Sequence, residues 1–571
     1  MDRIHSPGFT PTASNERIEA LDVVRGFALI GICIMNVEWF NRAITDLGRG
    51  INPSLTGIDW VISFIAQYFV TGKFWTIFSL LFGMGFAVML TRADQAGRSF
   101  LGPYLRRIFA LAAFGACHQI FLWSGDILFS YSVGAMCLLI TMYGRPKYIA
   151  AGIALCVLAG FAPKIAVMAG VVTEKAAPDL SAFFGIAGGL AFFSLVGWWL
   201  RGEQSVKKLN MPTVALVFLV IGILALIGGA VMWMLPNTPR EPRLGLPVFG
   251  TALTLLGILT KKYHEPKSER PWRLGVGMYV FSFFMMTGIG ALLYYVPAKP
   301  EVVPTAEAVA KLTGKEAEAA KAKIEKAAER AKRMKEREEA VQKETKIASS
   351  GTYSEHMALR AERFAEHAPG EIGFATILVG MFLLGAWFVR SGIMENTRAH
   401  LPLFRKLAMY GLPVGIGMGL AGSLIATAAT PGSQGADGYQ FAQGLLMLGN
   451  LPACLGYVGL LIVMLHSSSV FSKVKVLAPF GRMALTNYLT QSLVGAVYYF
   501  GWGFGHFGAS RVHQMAYVAC LIVVQIAFSH FWLSRFRYGP MEWLWRAITY
   551  WTIPPMLLNK PAGVPAAAGV R

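Results

Sequence analysis

The chain has 571 residues, of which 55% are hydrophobic and 15% charged, with a mean hydropathy of +0.50. A soluble domain needs far more polar surface than this composition supplies, so an ordinary cytosolic enzyme is excluded. The formal net charge of +20 reads as membrane topology, with no nucleic acid as partner, because the basic residues gather in the connections between apolar runs.

Those runs recur along the whole length, each near the roughly 20 residues needed to cross a bilayer. Their centres lie near Ile30, Leu81, Phe114, Met136, Leu158, Phe192, Val220, Leu255, Phe284, Met381, Gly417, Val458, Val494 and Val523. The expected fold class is all-α: a polytopic transmembrane helical bundle of about fourteen spans, with the lipid bilayer as its first partner. Met1 to Glu19 is polar and no small-residue cleavage pattern follows the first run, which is expected to stay as a span. Arg3, Arg17 and Arg25 precede it; Arg92, Arg98, Arg106 and Arg107 fill the second connection; Arg145 and Lys147 sit in the fourth. Later basic clusters are Arg201 to Lys208, Lys261 to Arg273, Arg390 to Lys406 and Arg535 to Arg546. Each falls at an even-numbered connection or a terminus, which places both termini in the cytoplasm.

At the start of the first span, Asp22 and Arg25 are three apart and share a helix face. They form either an anchoring salt bridge or a polar mouth for an anionic substrate. Asn36 and Glu38 lie at the far end of the same span. Leu55 to Val70, with Trp60, Phe64, Tyr68 and Phe69, has the aromatic content of an interfacial segment. The next signal is the strongest in the chain. His118 lies inside an apolar run opened by Arg106 and Arg107, and Asp126 follows the turn-like Trp123-Ser124-Gly125. Ionisable groups at membrane depth are costly and mark functional sites by default. Eight residues along a continuing helix are about 80° of rotation, so the two would look into one cavity. An imidazole oriented by a carboxylate is a general-base arrangement, and a structural histidine is the alternative.

Glu301 to Gly370 breaks the apolar rhythm. Opposite charges recur there at helical spacing, as in Lys321 with Glu325, Glu329 with Arg333, Lys332 with Glu336 and Lys335 with Glu339. This is expected to be a solvated helical arm projecting outside the cytoplasm. Further on, Thr486, Asn487, Thr490 and Gln491 fall along one helix side, with Arg482 about a turn earlier. That face reads as a cavity lining, with helix-to-helix glue as the alternative. Tyr538 to Trp551 is expected to be a second interfacial helix, and Pro561 to Arg571 a disordered tail. The six cysteines all lie in apolar segments and form no CxxC pair, so no thiolate metal site is expected and the metal assignment is none.

Arg17-Ile-Glu-Ala-Leu-Asp-Val-Val-Arg-Gly, Phe78-Ser-Leu-Leu-Phe-Gly-Met-Gly-Phe, Gly125-Asp-Ile-Leu, Phe480-Gly-Arg-Met-Ala-Leu-Thr-Asn-Tyr-Leu and Tyr538-Gly-Pro-Met-Glu-Trp-Leu-Trp-Arg resemble the YeiB family of bacterial inner-membrane proteins. That resemblance implies a multi-pass inner-membrane protein whose C-terminal half is a domain of unknown function. More distantly, the Asp22-to-Asn36 pattern is similar to membrane acetyltransferases of the heparan-alpha-glucosaminide N-acetyltransferase type, which carry acyl groups from cytoplasmic acetyl-CoA to an acceptor across the membrane. Their catalytic histidine follows the first span; Asn41 to Thr56 here contains none. Against the usual family layout, roughly four spans between Asp179 and Tyr295 look inserted into a ten-span core.

The expected division is an N-terminal transmembrane half (1–175), inserted spans (176–298), a charged arm (299–370) and a C-terminal transmembrane domain (371–571). The leading expectation is an acyltransferase-like protein. Asp22, Arg25, Asn36, Glu38, Arg106, Arg107, Arg482, Asn487 and Gln491 would hold substrate, and His118 with Asp126 would activate a small-molecule, glycan or lipid acceptor. Acyl-CoA would be the donor, and the sequence leaves room for a homodimer. The rival is a proton-coupled transporter or exporter of a small anionic or amphipathic substrate.

Overall fold

The computed structural model describes residues 18–558 except 98, 174–179, 203–204, 207–208, 236–237, 298–303, 306–307 and 310–311. Arg3, Arg17, Arg98 and the tail from Pro561 lie outside the described residues. All fourteen expected centres fall within helices. Eleven helical stretches among the described residues are long and apolar enough to cross a membrane, and those around Met136, Gly417 and Val494 are shorter. The fold is an all-α polytopic bundle, and among the described residues its one paired sheet is the two-residue ribbon Ser205–Val206 with Met211–Pro212.

In chain order the helices are α1 (Glu19–Asn41), α2 (Gly57–Ile65), α3 (Lys73–Gln95), α4 (Leu101–Cys117), α5 (Leu128–Tyr143), α6 (Pro146–Met168) and α7 (Ala182–Arg201). Then come α8 (Thr213–Met234), α9 (Arg240–Lys262), α10 (Arg270–Tyr295), the arm helices α11 (Gly314–Ser350) and α12 (Tyr353–His367), and α13 (Glu371–Arg390). The last third holds α14 (Leu401–Lys406), α15 (Leu412–Ser423), α16 (Tyr439–Leu465), α17 (Leu477–Arg482), α18 (Ala484–Tyr499), α19 (Arg511–Leu533) and α20 (Pro540–Tyr550).

Helix α13 is the axis of the bundle. It packs on α3, α5 and α10, and Leu378, Val379, Met381 and Phe382 are wholly buried. Without a water-driven force inside a bilayer, close backbone approach stabilises such contacts through dispersion. A Cβ at Gly83 would stand 2.1 Å from the carbonyl oxygen of Phe382, and one at Gly385 would stand 2.0 Å from that of Leu80. Glycine on each helix therefore sets the α3 to α13 distance.

Two of the helices expected as an insertion, α7 and α10, pack against α13, whereas α8 and α9 pair with each other and reach the bundle through α10. At the chain's other end α1 packs on α17 and α18. The N- and C-terminal segments thus share one wall.

Candidate functional site

The route by which His118 meets Asp126 differs from continuous helical rotation. Helix α4 widens into a π turn over His118–Leu122, the chain reverses at Trp123 to Asp126, and α5 begins at Leu128. One Asp126 oxygen lies 2.8 Å from His118 Nδ1 and the other accepts the Phe129 backbone N–H at 2.7 Å. The carboxylate thus joins the last turn of α4 to the first turn of α5, where a negative charge suits the helix N-terminus. Gly115 makes room: a Cβ there would stand 2.3 Å from the Phe129 nitrogen. The His118 and Asp126 side chains are 1% and 0% exposed. Nδ1 faces the acid, and His118 Nε2 has no hydrogen-bond partner. Single-turn π segments are frequent at functional sites because they re-aim one side chain.

Beside this pair lies a cavity of about 330 Å³. Its mouth carries Arg25, Arg92, Arg107, Arg482, Arg537 and Arg546 against the two acids Asp22 and Glu542. Trp545, Tyr538 and Tyr550 also line it, together with Phe78, Phe82, Ile127, Leu128, Tyr131 and Tyr488. Arg107 lies 4.0 Å over the Trp545 ring and Arg546 4.8 Å over Tyr538. Tyr488 links the cavity to the pair, since its ring centroid is 5.1 Å from that of His118. A basic, aromatic mouth leading to an apolar shaft suits an anionic head with a narrower chain behind it.

The expected binding residues divide. Asp22, Arg25, Arg107 and Arg482 line the cavity, with Arg25 Nη1 donating to Asp22 at 2.8 Å. Arg106 donates instead to the Thr549 carbonyl at 2.9 Å, fastening α20 to α4. Glu38 lies at the opposite end of α1, 3.4 Å from Arg42 and 3.5 Å from Arg511. Asn36 is buried within α1 and lines no part of this cavity. Asn487 and Gln491 act as glue between α18 and α19. Asn487 Nδ2 donates to Phe480 O and Ser529 Oγ, both at 3.0 Å, and Gln491 Nε2 donates to Gln525 Oε1 at 3.0 Å. The polar face turns to a neighbouring helix because α19 presents matching acceptors there.

The C-terminal helix forms part of the cavity wall. Helix α20 packs on α4 and α18, and Glu542 accepts the Leu485 and Thr486 N–H groups at 2.6 and 3.1 Å and the Thr486 hydroxyl at 2.6 Å. These amides belong to the first turn of α18, where intrahelical partners are lacking. A remote carboxylate thus caps α18 and faces the cavity. Glu542, Trp545, Arg537 and Arg546 were not among the binding residues expected from the sequence; for Glu542, Trp545 and Arg546 the available signal was an acid and a base spaced along an aromatic-rich amphipathic helix.

The charged arm also differs from expectation. Its outer part is solvated, with Lys332–Glu336, Arg333–Glu329 and Lys335–Glu339 pairs at 3.8 Å, but its end docks on the bundle. Arg360, buried at 4% exposure, donates to the carbonyls of Ile120, Leu122 and Phe121 at 3.0, 3.1 and 3.3 Å. Those are the last carbonyls of the π turn that begins at His118, where orphan acceptors and the helix dipole favour a cation. The pull of that compensation outweighs solvation of the guanidinium.

These features define a multi-pass helical membrane protein in which the two ends of the chain build one basic cavity beside a buried His–Asp pair. Residues 388–552 match the family described as "Protein of unknown function (DUF418)", a stretch that supplies Arg482, Tyr488, Arg537, Glu542, Trp545 and Arg546 to the cavity. The chain is 24% identical to "Uncharacterized protein YxaH" of Bacillus subtilis (strain 168) over 555 residues, 96% of this chain and 97% of that protein. It is 24% identical to "Uncharacterized protein YeiB" of Escherichia coli (strain K12) over 546 residues, 94% and 96% of the two chains. These matches bear out the YeiB-family resemblance. No solved structure matches.

Proposed function

We propose that this protein is a membrane acyltransferase that moves an acyl group from acyl-CoA to a hydroxyl or amine acceptor, in a bacterial inner membrane with both termini cytoplasmic. The observation that carries this reading is His118: Nδ1 on Asp126, Nε2 without partner, one tyrosine ring from the floor of an arginine-mouthed cavity. CoA phosphates would sit among Arg25, Arg107 and Arg482, and the acyl thioester would reach down the apolar shaft. The acceptor gives its proton to Nε2 while its oxygen or nitrogen attacks the thioester carbonyl carbon. As the C–S bond breaks, the imidazolium returns that proton to the departing thiolate. Asp126 keeps the proton on Nδ1 and stabilises the imidazolium. Because His118 is 2% exposed, Tyr488 must move for the reactants to touch it.

The test is release of CoA from acetyl-CoA by purified protein, followed with a thiol-reactive dye. CoA release that depends on His118 supports the reading, and absence of acetyl-CoA binding overturns it. A proton-coupled transporter is the second reading, favoured by one observation: Trp123 and Ser124 line a small cleft beneath the arm while Ile127 and Leu128 line the large cavity. Proton uptake by proteoliposomes, with acetyl-CoA binding absent, would support that reading instead.

A further inference from the structure

Among the described residues two glycines line the large cavity, Gly85 on α3 and Gly481 on α17. Packing accounts for one of them. A Cβ at Gly481 would stand 1.9 Å from the Asp22 carbonyl oxygen, so α1 leaves no room for a side chain there. At Gly85 a Cβ would meet nothing within 4 Å. Glycine is disfavoured inside a helix, and no neighbour of Gly85 requires it. Its position in the wall supplies the reason. The α3 residues that line the cavity run from Phe78 to Arg92 along one helix face, through Phe82, Gly85 and Met89. Gly85 is the midpoint of that stripe, about 10 Å along the axis from either end. The missing side chain opens the wall half-way between the charged mouth and the apolar end.

The same stretch sets a distance that a donor must span. Arg107 at the mouth and His118 are about 16 Å apart along α4 and its π turn. An acyl phosphate carries its charge beside its carbonyl, so it cannot place one among the arginines and the other at the base. The pantetheine arm of CoA can: about a dozen bonds between phosphate and sulfur extend to about 15 Å. We propose that Gly85 is a specificity-determining residue of the donor site. It keeps open the lane in which the pantetheine arm lies, and so admits donors that carry their acyl group at the end of a long, slender arm. This rests on the acyl-transfer reading and adds the residue that sets the shape of its donor. Without a side chain the α3 backbone itself can approach the arm, the use to which glycine is suited beside a ligand.

The experiment compares CoA with 3′-phosphoadenosine 5′-diphosphate, which keeps every phosphate of CoA and lacks the arm. Affinities are measured by equilibrium dialysis on purified protein. The parent is expected to bind CoA about tenfold or more tightly than the armless head. Gly85→Leu places a side chain in open space and favours the helix. It is expected to hold the head within about twofold of the parent affinity and to lose most of the preference for CoA. Val88→Phe, a turn nearer the mouth on the same wall, serves if the first variant is not monodisperse. A parent-like preference for CoA in folded Gly85→Leu overturns the lane and leaves the acyl-transfer reading standing. Equal weakening of both ligands also overturns it, because the change would then have reached the head. Failure of the parent to bind either ligand removes both readings.

Discussion

Glu344 and Arg363 close a two-pronged ion pair at 2.7 and 3.0 Å, and the same carboxylate accepts the backbone N–H groups of Ile44 and Thr45 at 2.9 and 3.1 Å. Four donors on one buried acid fasten the end of the arm to the turn after α1. Glu344→Ala strands them, and the expected cost is about 1–3 kcal/mol, read as a lower thermal unfolding midpoint in detergent. Glu336→Ala, which removes a partner of the exposed Lys332, should change stability by no more than about 0.5 kcal/mol. Equal effects would mean that the arm is not docked in solution.

Orientation is tested by cysteine accessibility. Ala331 and Ala399 are both exposed, one on the arm and one in the basic connection after α13. In intact cells treated with a membrane-impermeant thiol reagent, Ala331→Cys should react and Ala399→Cys should not, as the charge bias requires. Thr397 is unsuitable because it is buried against His466 at 2.8 Å. Reaction at Ala399→Cys alone would invert the topology.

Glu542 separates capping from charge. Glu542→Ala removes the acceptor for two first-turn amides and the Thr486 hydroxyl, and should cost about 1–3 kcal/mol of stability. Glu542→Gln keeps a carbonyl oxygen there and should cost less, while taking a negative charge out of the cavity wall. A loss as large for Gln as for Ala would show that the charge, not the cap, holds α18.

Helix positions were legible because hydropathy is local: a run near Met381 must be a span wherever it packs. The His118–Asp126 pairing was also legible, though by a wrong path, since the spacing fits both a continuous helix and the reversal that Trp123 to Asp126 produces. Contacts between distant segments were not legible. Arg360 lies 240 residues from Ile120, and nothing near either marks the other. Asn487 and Gln491 are an intermediate case. Their four-residue spacing is matched by Gln525 and Ser529 on α19, and two such ladders on neighbouring spans are the signature of interhelical hydrogen bonding.

The basic mouth carries a ligand prediction. Arg482 lines the cavity and its Nε has no partner, so Arg482→Gln should weaken CoA binding by about 1–3 kcal/mol. Affinity in the parent protein should also fall as salt is raised, because the arginines at the mouth are partly open to solvent and salt screens charges there. Equilibrium dialysis at low and high salt checks both. Unchanged CoA affinity with a large drop in thermal stability would assign Arg482 to packing α17 against α1.

His118 decides the chemistry. His118→Ala removes the proposed base and leaves the arginines of the mouth in place, so turnover of acetyl-CoA per folded molecule should vanish while CoA affinity holds. Asp126→Asn keeps an oxygen for the Phe129 amide but loses the charge that stabilises the imidazolium, and should slow turnover less completely. Asp126→Ala strands both His118 Nδ1 and the Phe129 N–H, adding a stability loss of about 1–3 kcal/mol to the catalytic one. A purely structural histidine reverses the ordering: His118→Ala would fold poorly, and the folded fraction would turn over normally. Turnover normalised to monodisperse protein is therefore the measurement, and full activity in folded His118→Ala would end the general-base assignment.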